Sequence, residues 1–152
     1  MVVEFTVYGV PQSKSRPRFV RRGNFMQTYT PKETVNYETL VKLSYQQMAG
    51  GIKLIGAIRA ECKFYFPIPK SVSKKKHNEM LEGKIRPITV SKDADNCVKS
   101  VLDALNKIAY DDDRQVVELE AYKLYSEQPR AEIKLLTLDE EDFSQYMNPP
   151  EE

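Results

Sequence analysis

Asp93, Asp95 and Lys99, with Asp111-Asp112-Asp113 a short way beyond, are the residues whose types and spacing could do chemistry. Carboxylates supply the oxygen ligands that hard divalent cations take. A cation held this way activates a water and polarises a phosphodiester, and a nearby ammonium offsets the charge that develops on the phosphate. The combination predicts a metal-dependent phosphodiesterase. Each residue also has an ordinary explanation. Aspartate favours the N-cap of a helix and suits its dipole. That accounts for one of Asp93 and Asp95 and leaves the other spare. Asp111 to Asp113 could be a solvated turn between a helix and a strand. Lys99 could pair with Asp95 or Asp103 across one helical turn, worth about 0.2–0.5 kcal/mol.

The element that must position these groups is a helix from Asp95 to about Lys107. Val98, Val101, Leu102 and Leu105 recur at i, i+3, i+4 and i+7 and form one apolar stripe, with Lys99 on its flank. Upstream, Val3, Phe5 and Val7 alternate with polar neighbours and predict a half-buried strand. Residues 13–29 read as a long basic loop. Thr30-Pro31-Lys32-Glu33 predicts a helix start with Thr30 as cap, Pro31 at the first helical position and Glu33 completing a capping box. Tyr37, Leu40, Val41, Ser44 and Met48 continue it, and Gly50-Gly51 ends it. Ile58, Ala60, Cys62, Phe64 and Phe66 alternate through a second strand. Ser71 to Gly83 reads as a short basic helix or a mobile loop. Two strands follow, roughly Gln115–Tyr125 and Arg130–Leu138, joined at Ser126 to Pro129. This order predicts an α+β two-layer fold, a mainly antiparallel or mixed sheet with helices on one face.

At 152 residues the chain is expected to form one domain, 1–138, followed by an acidic, disordered tail, 139–152. No apolar run approaches the roughly 18 residues of a membrane span, and the start lacks the pattern of a signal peptide. A cytoplasmic protein with two reduced, structural cysteines, Cys62 and Cys97, is expected. The net charge of +1 hides a division: residues 1–92 carry 17 Lys+Arg against 6 Asp+Glu, and residues 93–152 carry 6 against 16. A basic first part bordered by an acidic cluster suits a polyanionic substrate with bound cations.

Other motifs fit poorly. An EF-hand loop counted from Asp93 would need Gly and Glu where Val98 and Ala104 stand. Glu61-Cys62-Lys63 has the E-x-K form of a nuclease strand, but no aspartate precedes Asp93 to complete it. His77 lies in a lysine-rich stretch and reads as a surface residue.

Asp93-x-Asp95-Asn96-x-x-Lys99-x-x-x-Asp103-Ala104-Leu105, then Asp112-Asp113-x-Gln115-Val116-Val117, resembles the central motif of the RusA family of Holliday-junction resolvases. Gly9-x-Pro11, Lys14-x-Arg16-Pro17-Arg18 and Tyr29-Thr30-Pro31 are similar to the amino-terminal segment of its Gram-positive and phage members. The resemblance covers roughly residues 1–138. It implies a homodimeric crossover junction endodeoxyribonuclease of recombination and repair, often phage- or prophage-encoded. Such an enzyme nicks four-way junction DNA symmetrically and requires Mg²⁺, for which Mn²⁺ can substitute. The essential carboxylates would fall on Asp93, Asp95 and Asp113, with Asp112 beside them, and the essential lysine on Lys99. Lys14, Arg16, Arg18, Arg21 and Arg22 would track the DNA backbone. A nuclease acting on other branched DNA and a non-catalytic junction-binding module are the alternatives.

One geometric difficulty follows from the spacing. A helix of about 12 residues is about 18 Å long. Asp95 stands at its start and Asp113 beyond its end, whereas carboxylates sharing a metal must lie within several Å. Either the helix is shorter than its pattern, or two subunits share the site across a two-fold axis that pairs the helix with its mate. The second is the expectation.

Overall fold

In the computed structural model the described residues are 1–15 and 17–139. Arg16 and the expected tail from residue 140 lie outside them. Strand β1 (Val2–Tyr8) forms where the alternation predicts it, with Val3, Phe5 and Val7 buried. The main sheet has the order β1-β6-β4-β5, where β4 is Ile58–Pro67, β5 is Val116–Ser126 and β6 is Arg130–Thr137. β6 runs antiparallel to both β1 and β4, and β5 runs parallel to β4, so the sheet is mixed. β4 is interior because its alternate residues Ile58, Ala60, Cys62, Phe64 and Phe66 are all fully buried. β5 and β6 are joined at residues 127–129 as expected, yet they do not pair with each other: β4 lies between them.

One face of the sheet carries the core. Val3, Leu135 and Ala60 share a row, as do Phe5, Ile133 and Cys62, and Val7, Ala131 and Phe64. Helices α1 (Lys32–Ala49), α2 (Lys74–Leu81) and α3 (Ala94–Leu105) contribute buried residues to that same core. The expected two-layer α+β arrangement is therefore present. The opposite face is polar. There Glu4, Lys134, Glu61 and Glu120 form one row, and Arg59 pairs with Glu61, Glu118 and Glu120. Glu61 and Lys63 of the E-x-K triplet lie on this face, away from the helices. Glu61 is occupied by Arg59 and Lys134.

Three local expectations are corrected. α1 starts one residue later than its sequence suggests: Pro31 holds the N-cap position, with extended ψ of 143°, and no side chain caps the helix. The Pro31 ring is buried, and its fixed φ of −53° is compatible with the extended ψ of an N-cap. The buried stripe of α1 is Thr34, Tyr37, Val41, Tyr45 and Ala49, whereas Leu40 and Met48 are exposed. Tyrosine rings fill two of the core positions: the Tyr37 hydroxyl is buried without a hydrogen-bond partner among the described residues, whereas that of Tyr45 is satisfied. Tyr45 stacks edge-on against Phe5 at 5.5 Å and donates to the Ile52 carbonyl. Finally, the basic segment 13–29 is no plain loop. It contains a hairpin of β2 (Arg18–Arg22) and β3 (Phe25–Tyr29). Gly23 opens its two-residue turn at φ 61°, the first-position glycine that a tight hairpin turn of this hand requires. Ser71 to Gly83 resolves as helix α2, capped by Ser73, whose side chain accepts from the Lys76 amide at 3.3 Å.

Candidate active site and nucleic-acid interface

α3 sets the geometry of the acidic groups. Its buried side is Cys97, Val98, Ser100, Val101, Ala104 and Leu105, which pack toward α1 and β5. That leaves Asp95 and Lys99 on the exposed side. Asp93 occupies the N-cap position with extended backbone, and its carbonyl accepts from the Cys97 amide at 2.9 Å. Its side chain makes no capping hydrogen bond. Asp93 therefore suits the helix dipole but does not cap the helix through its side chain. Neither Asp95 nor Lys99 forms an ion pair or side-chain hydrogen bond with another described residue, so the pairing of Lys99 with Asp95 or Asp103 is also absent. Burial, opposed by Lys123 and Lys92 and reinforced by Asp93 and Asp95, pushes the Cys97 thiol up to about 11. Burial, with Glu61, pushes Cys62 up to about 12. Neither thiol is a nucleophile near neutral pH.

The other end of α3 is built to bring Asp113 back to it. The helix ends at Leu105, and Lys107 turns the chain at φ 68°. The Lys107 amide donates to the Tyr110 carbonyl at 2.9 Å, and buried Tyr110 donates its hydroxyl to the Leu102 carbonyl at 2.6 Å. Asn106 Oδ1 then accepts from the Asp113 amide at 2.9 Å. A 3-10 turn, Asp113–Gln115, follows. Asp112 caps it, accepting from the Arg114 amide at 2.9 Å and pairing with Arg114 Nε at 3.1 Å. Gln115 Oε1 accepts from the Asp111 and Asp112 amides, while its Nε2 donates to the carbonyls of Leu54 and Gly56. The three successive aspartates thus differ. Asp111 pairs with Lys53 at 3.0 Å, Asp112 is spent on the cap, and Asp113 faces Asp103. Partial burial, then the charges of Asp103 and Asp112, raise the Asp113 carboxyl above its ordinary range. Hydrogen bonding from Arg114 lowers Asp112.

Lys14 lies apart from the other cations of its segment. Its ammonium pairs with Glu38 of α1 and with Asp103 of α3, the latter at 3.4 Å. Its backbone amide donates to the Asn96 carbonyl at 3.0 Å, and the Ser15 amide donates to Thr34 Oγ1 at 3.4 Å. Burial pulls the Lys14 pKa down, but Glu38 and Asp103 outweigh it and the net shift is upward. Arg18, Arg21 and Arg22 by contrast stand exposed on the hairpin. His77 is a surface residue, 3.3 Å from Glu127.

The expected site is therefore split within one chain. Asp93 and Asp95 stand at the start of α3, and Asp113, with Asp112 and Asp103, stands at its end. The helix has 12 residues, so the possibility of a shorter helix falls away. Among the described residues no three His, Cys, Asp or Glu side chains are grouped to hold a metal ion. Pairs of carboxylates nevertheless suit Mg²⁺, which is usually held by one or two carboxylates plus substrate phosphate and water. Asp103 and Glu38 join this network beyond the residues that spacing singles out. Asp103 stands four residues after Lys99 and within the family motif, but spacing offers it only as a helical partner for Lys99. Glu38 gave no signal, because its partner lies 24 residues away in sequence.

A mixed sheet backed by helices, one of them with aspartates toward both ends, defines an α+β protein that also carries a basic hairpin. The family model described as Endodeoxyribonuclease RusA matches residues 9–136, and the chain belongs to this family. It is also similar to a Bacillus subtilis (strain 168) protein described as "Uncharacterized protein YqaN". The two are 40% identical over 135 residues, 88% of this chain and 94% of that one. Membership makes the chain a nuclease of the endodeoxyribonuclease class. No helix among the described residues is long and apolar enough to cross a membrane.

Proposed function

We propose that this protein is a magnesium-dependent, homodimeric endonuclease that resolves four-way DNA junctions by symmetric paired nicks, acting in recombination and repair in the cytoplasm. The observation that carries the reading is the pair Asp93 and Asp95. Both lie on the exposed start of α3, one turn from Lys99, and have no side-chain hydrogen bond or ion pair within the described chain. Asp93 and Asp95 would hold the cation with Asp113, and Asp112 stands behind Asp113. When bound, Mg²⁺ supplies an activated water and polarises the scissile phosphate. Lys99 carries a charge that offsets the negative charge growing on the phosphate oxygens. The hairpin arginines hold the backbone in register, giving affinity and orientation without sequence information.

The site sharing expected from the spacing is part of this proposal. Asp113 of one protomer completes the Asp93–Asp95 pair of its mate. Two sites related by a two-fold axis match the approximate symmetry of a four-way junction. The test incubates the purified protein with mobile and immobile four-way junctions, flaps, duplex and single strands, with Mg²⁺, Mn²⁺ or EDTA. Paired nicks on junctions alone, lost in EDTA, are expected. Asp93→Asn should bind junctions as the parent does and cut at least about 100-fold more slowly. Equal cutting of flaps and forks would move the reading to a general branched-DNA nuclease, and persistent cutting by Asp93→Asn would remove that residue from the site.

A further inference from the structure

We propose that the β2–β3 hairpin is a base-stacking finger that presents Phe25 and Phe19 to unstacked DNA bases, beyond any role of its arginines on phosphate. The inference rests on the nucleic-acid reading above but not on junction cleavage.

The hairpin forms its own two-stranded sheet, separate from the main one. Its large apolar side chains lie open: Phe25 is 75% exposed, Phe19 69% and Met26 64%. Rings left this open on an ordered strand pair have no use in the chain's own core. The register distributes them over both faces. Arg22 is opposite Phe25, and Arg18 is opposite Tyr29, on one face; Arg21 is opposite Met26, beside Phe19, on the other. Each face thus pairs a guanidinium with an aromatic or apolar group. Phe25 directly follows the Gly23-Asn24 turn, so it stands at the outer end.

Charge decides the occupant. Residues 5–32 contain six Lys+Arg and no Asp or Glu. A second copy of this hairpin would bring arginine against arginine, which disfavours self-association through it. A polyanion with flat apolar faces satisfies both halves of the surface. Aromatic rings stack on bases of any sequence, and arginines beside them track phosphate. In intact duplex the base faces are covered by their neighbours, so the finger needs a place where stacking is interrupted. A branch point or a single strand provides one.

The experiment uses 2-aminopurine, whose fluorescence rises when it unstacks. The probe is placed at the branch point of a four-way junction, in the middle of a duplex arm, or in a single-stranded oligonucleotide. Saturating full-length protein in EDTA is added, so that binding is read without cutting. A several-fold change at the branch point and in the single strand, with none in the duplex arm, is expected. Phe25→Ala should abolish most of it at saturation and weaken binding about 5- to 100-fold with an unchanged salt dependence. Arg21→Gln should keep the signal at saturation and lower the slope of log affinity against log salt by about one. Phe25→Trp should retain both signal and affinity. The proposal is overturned if Phe25→Ala and Phe19→Ala both leave the signal intact. It is overturned equally if light scattering shows Phe25→Ala converting a dimer to monomers, which would give the surface to a second copy. A finger signal in single strands without preference for junctions would uphold this inference and count against junction resolution.

Discussion

Asp113 is held against Asp103 and Asp112 by its backbone, since its amide is fixed to Asn106 and the following turn is pinned by Gln115. Partial burial and the two neighbouring carboxylates raise its pKa in the folded state. A carboxyl shifted this way contributes its full stability below the unfolded carboxylate range of about 4, and that contribution disappears as pH climbs through the higher folded value. Above that folded value the chain carries an ionised Asp113 against its neighbours. Asp113→Asn should raise Tm by about 1–3 °C at pH 7 in the absence of divalent cations, and the gap should close near pH 3. Thermal unfolding followed by circular dichroism reads this. A variant no more stable than the parent at pH 7 would show that the repulsion is relieved elsewhere. In the proposed site a bound cation would offset this repulsion, which without it lowers stability. This much was half legible from sequence. The aspartates and Lys99 were visible by type and spacing. Which of Asp112 and Asp113 stays available was not, because the choice depends on a cap and on Gln115 reaching back to Leu54 and Gly56.

The elements show why some of the fold was readable and some was not. β1, β4 and α3 follow from periodicity alone, because each buries one uninterrupted apolar face. Periodicity places α1 but only part of its buried face, since exposed Leu40 and Met48 look more apolar than the tyrosines that pack inward. The hairpin was hidden because its strands bury little and so lack the alternation that betrays a half-buried sheet. Its root is a tertiary matter: Lys14 joins α1 and α3 through Glu38 and Asp103, and the adjoining amides bond Asn96 and Thr34. Lys14 thus acts as a tie between the hairpin's base and the acidic helix, unlike the arginines beyond it. Lys14→Met and Glu38→Gln should produce the same defect, although one removes a positive charge and the other a negative one. Both should speed amide hydrogen exchange across residues 14–29 by about 10-fold while leaving β4 unchanged. The double variant should add little to either single change. If Lys14 instead contacted phosphate, Lys14→Met would lower the salt slope of DNA binding by about one, and Glu38→Gln would leave exchange unaltered.

Over the whole molecule, the charge division along the chain becomes a division in space. The open sheet face neutralises itself through Arg59, Lys134 and their glutamates, the hairpin concentrates unopposed cations, and α3 carries aspartates toward each end. The separation of Asp113 from Asp93 and Asp95 along a 12-residue helix is the strongest argument for a second protomer. About 12 Å of helix rise divides Asp95 from Asp103, the residue that Asp113 faces. Mixed dimers decide the matter. Co-expressing differently tagged Asp93→Asn and Asp113→Asn chains and purifying the heterodimer gives two alternatives. With shared sites, one composite site contains both substitutions and the other contains neither. The heterodimer should then nick one strand of a four-way junction at a rate near that of a single parent site, and fail to make the paired second cut. With self-contained sites, each half of the heterodimer carries one substitution and no nicking returns. Recovery of single nicks from two inactive parents would locate the site across the two-fold axis; a silent heterodimer of confirmed composition would return it to one chain and require α3 to unwind or the 3-10 turn to move when DNA binds.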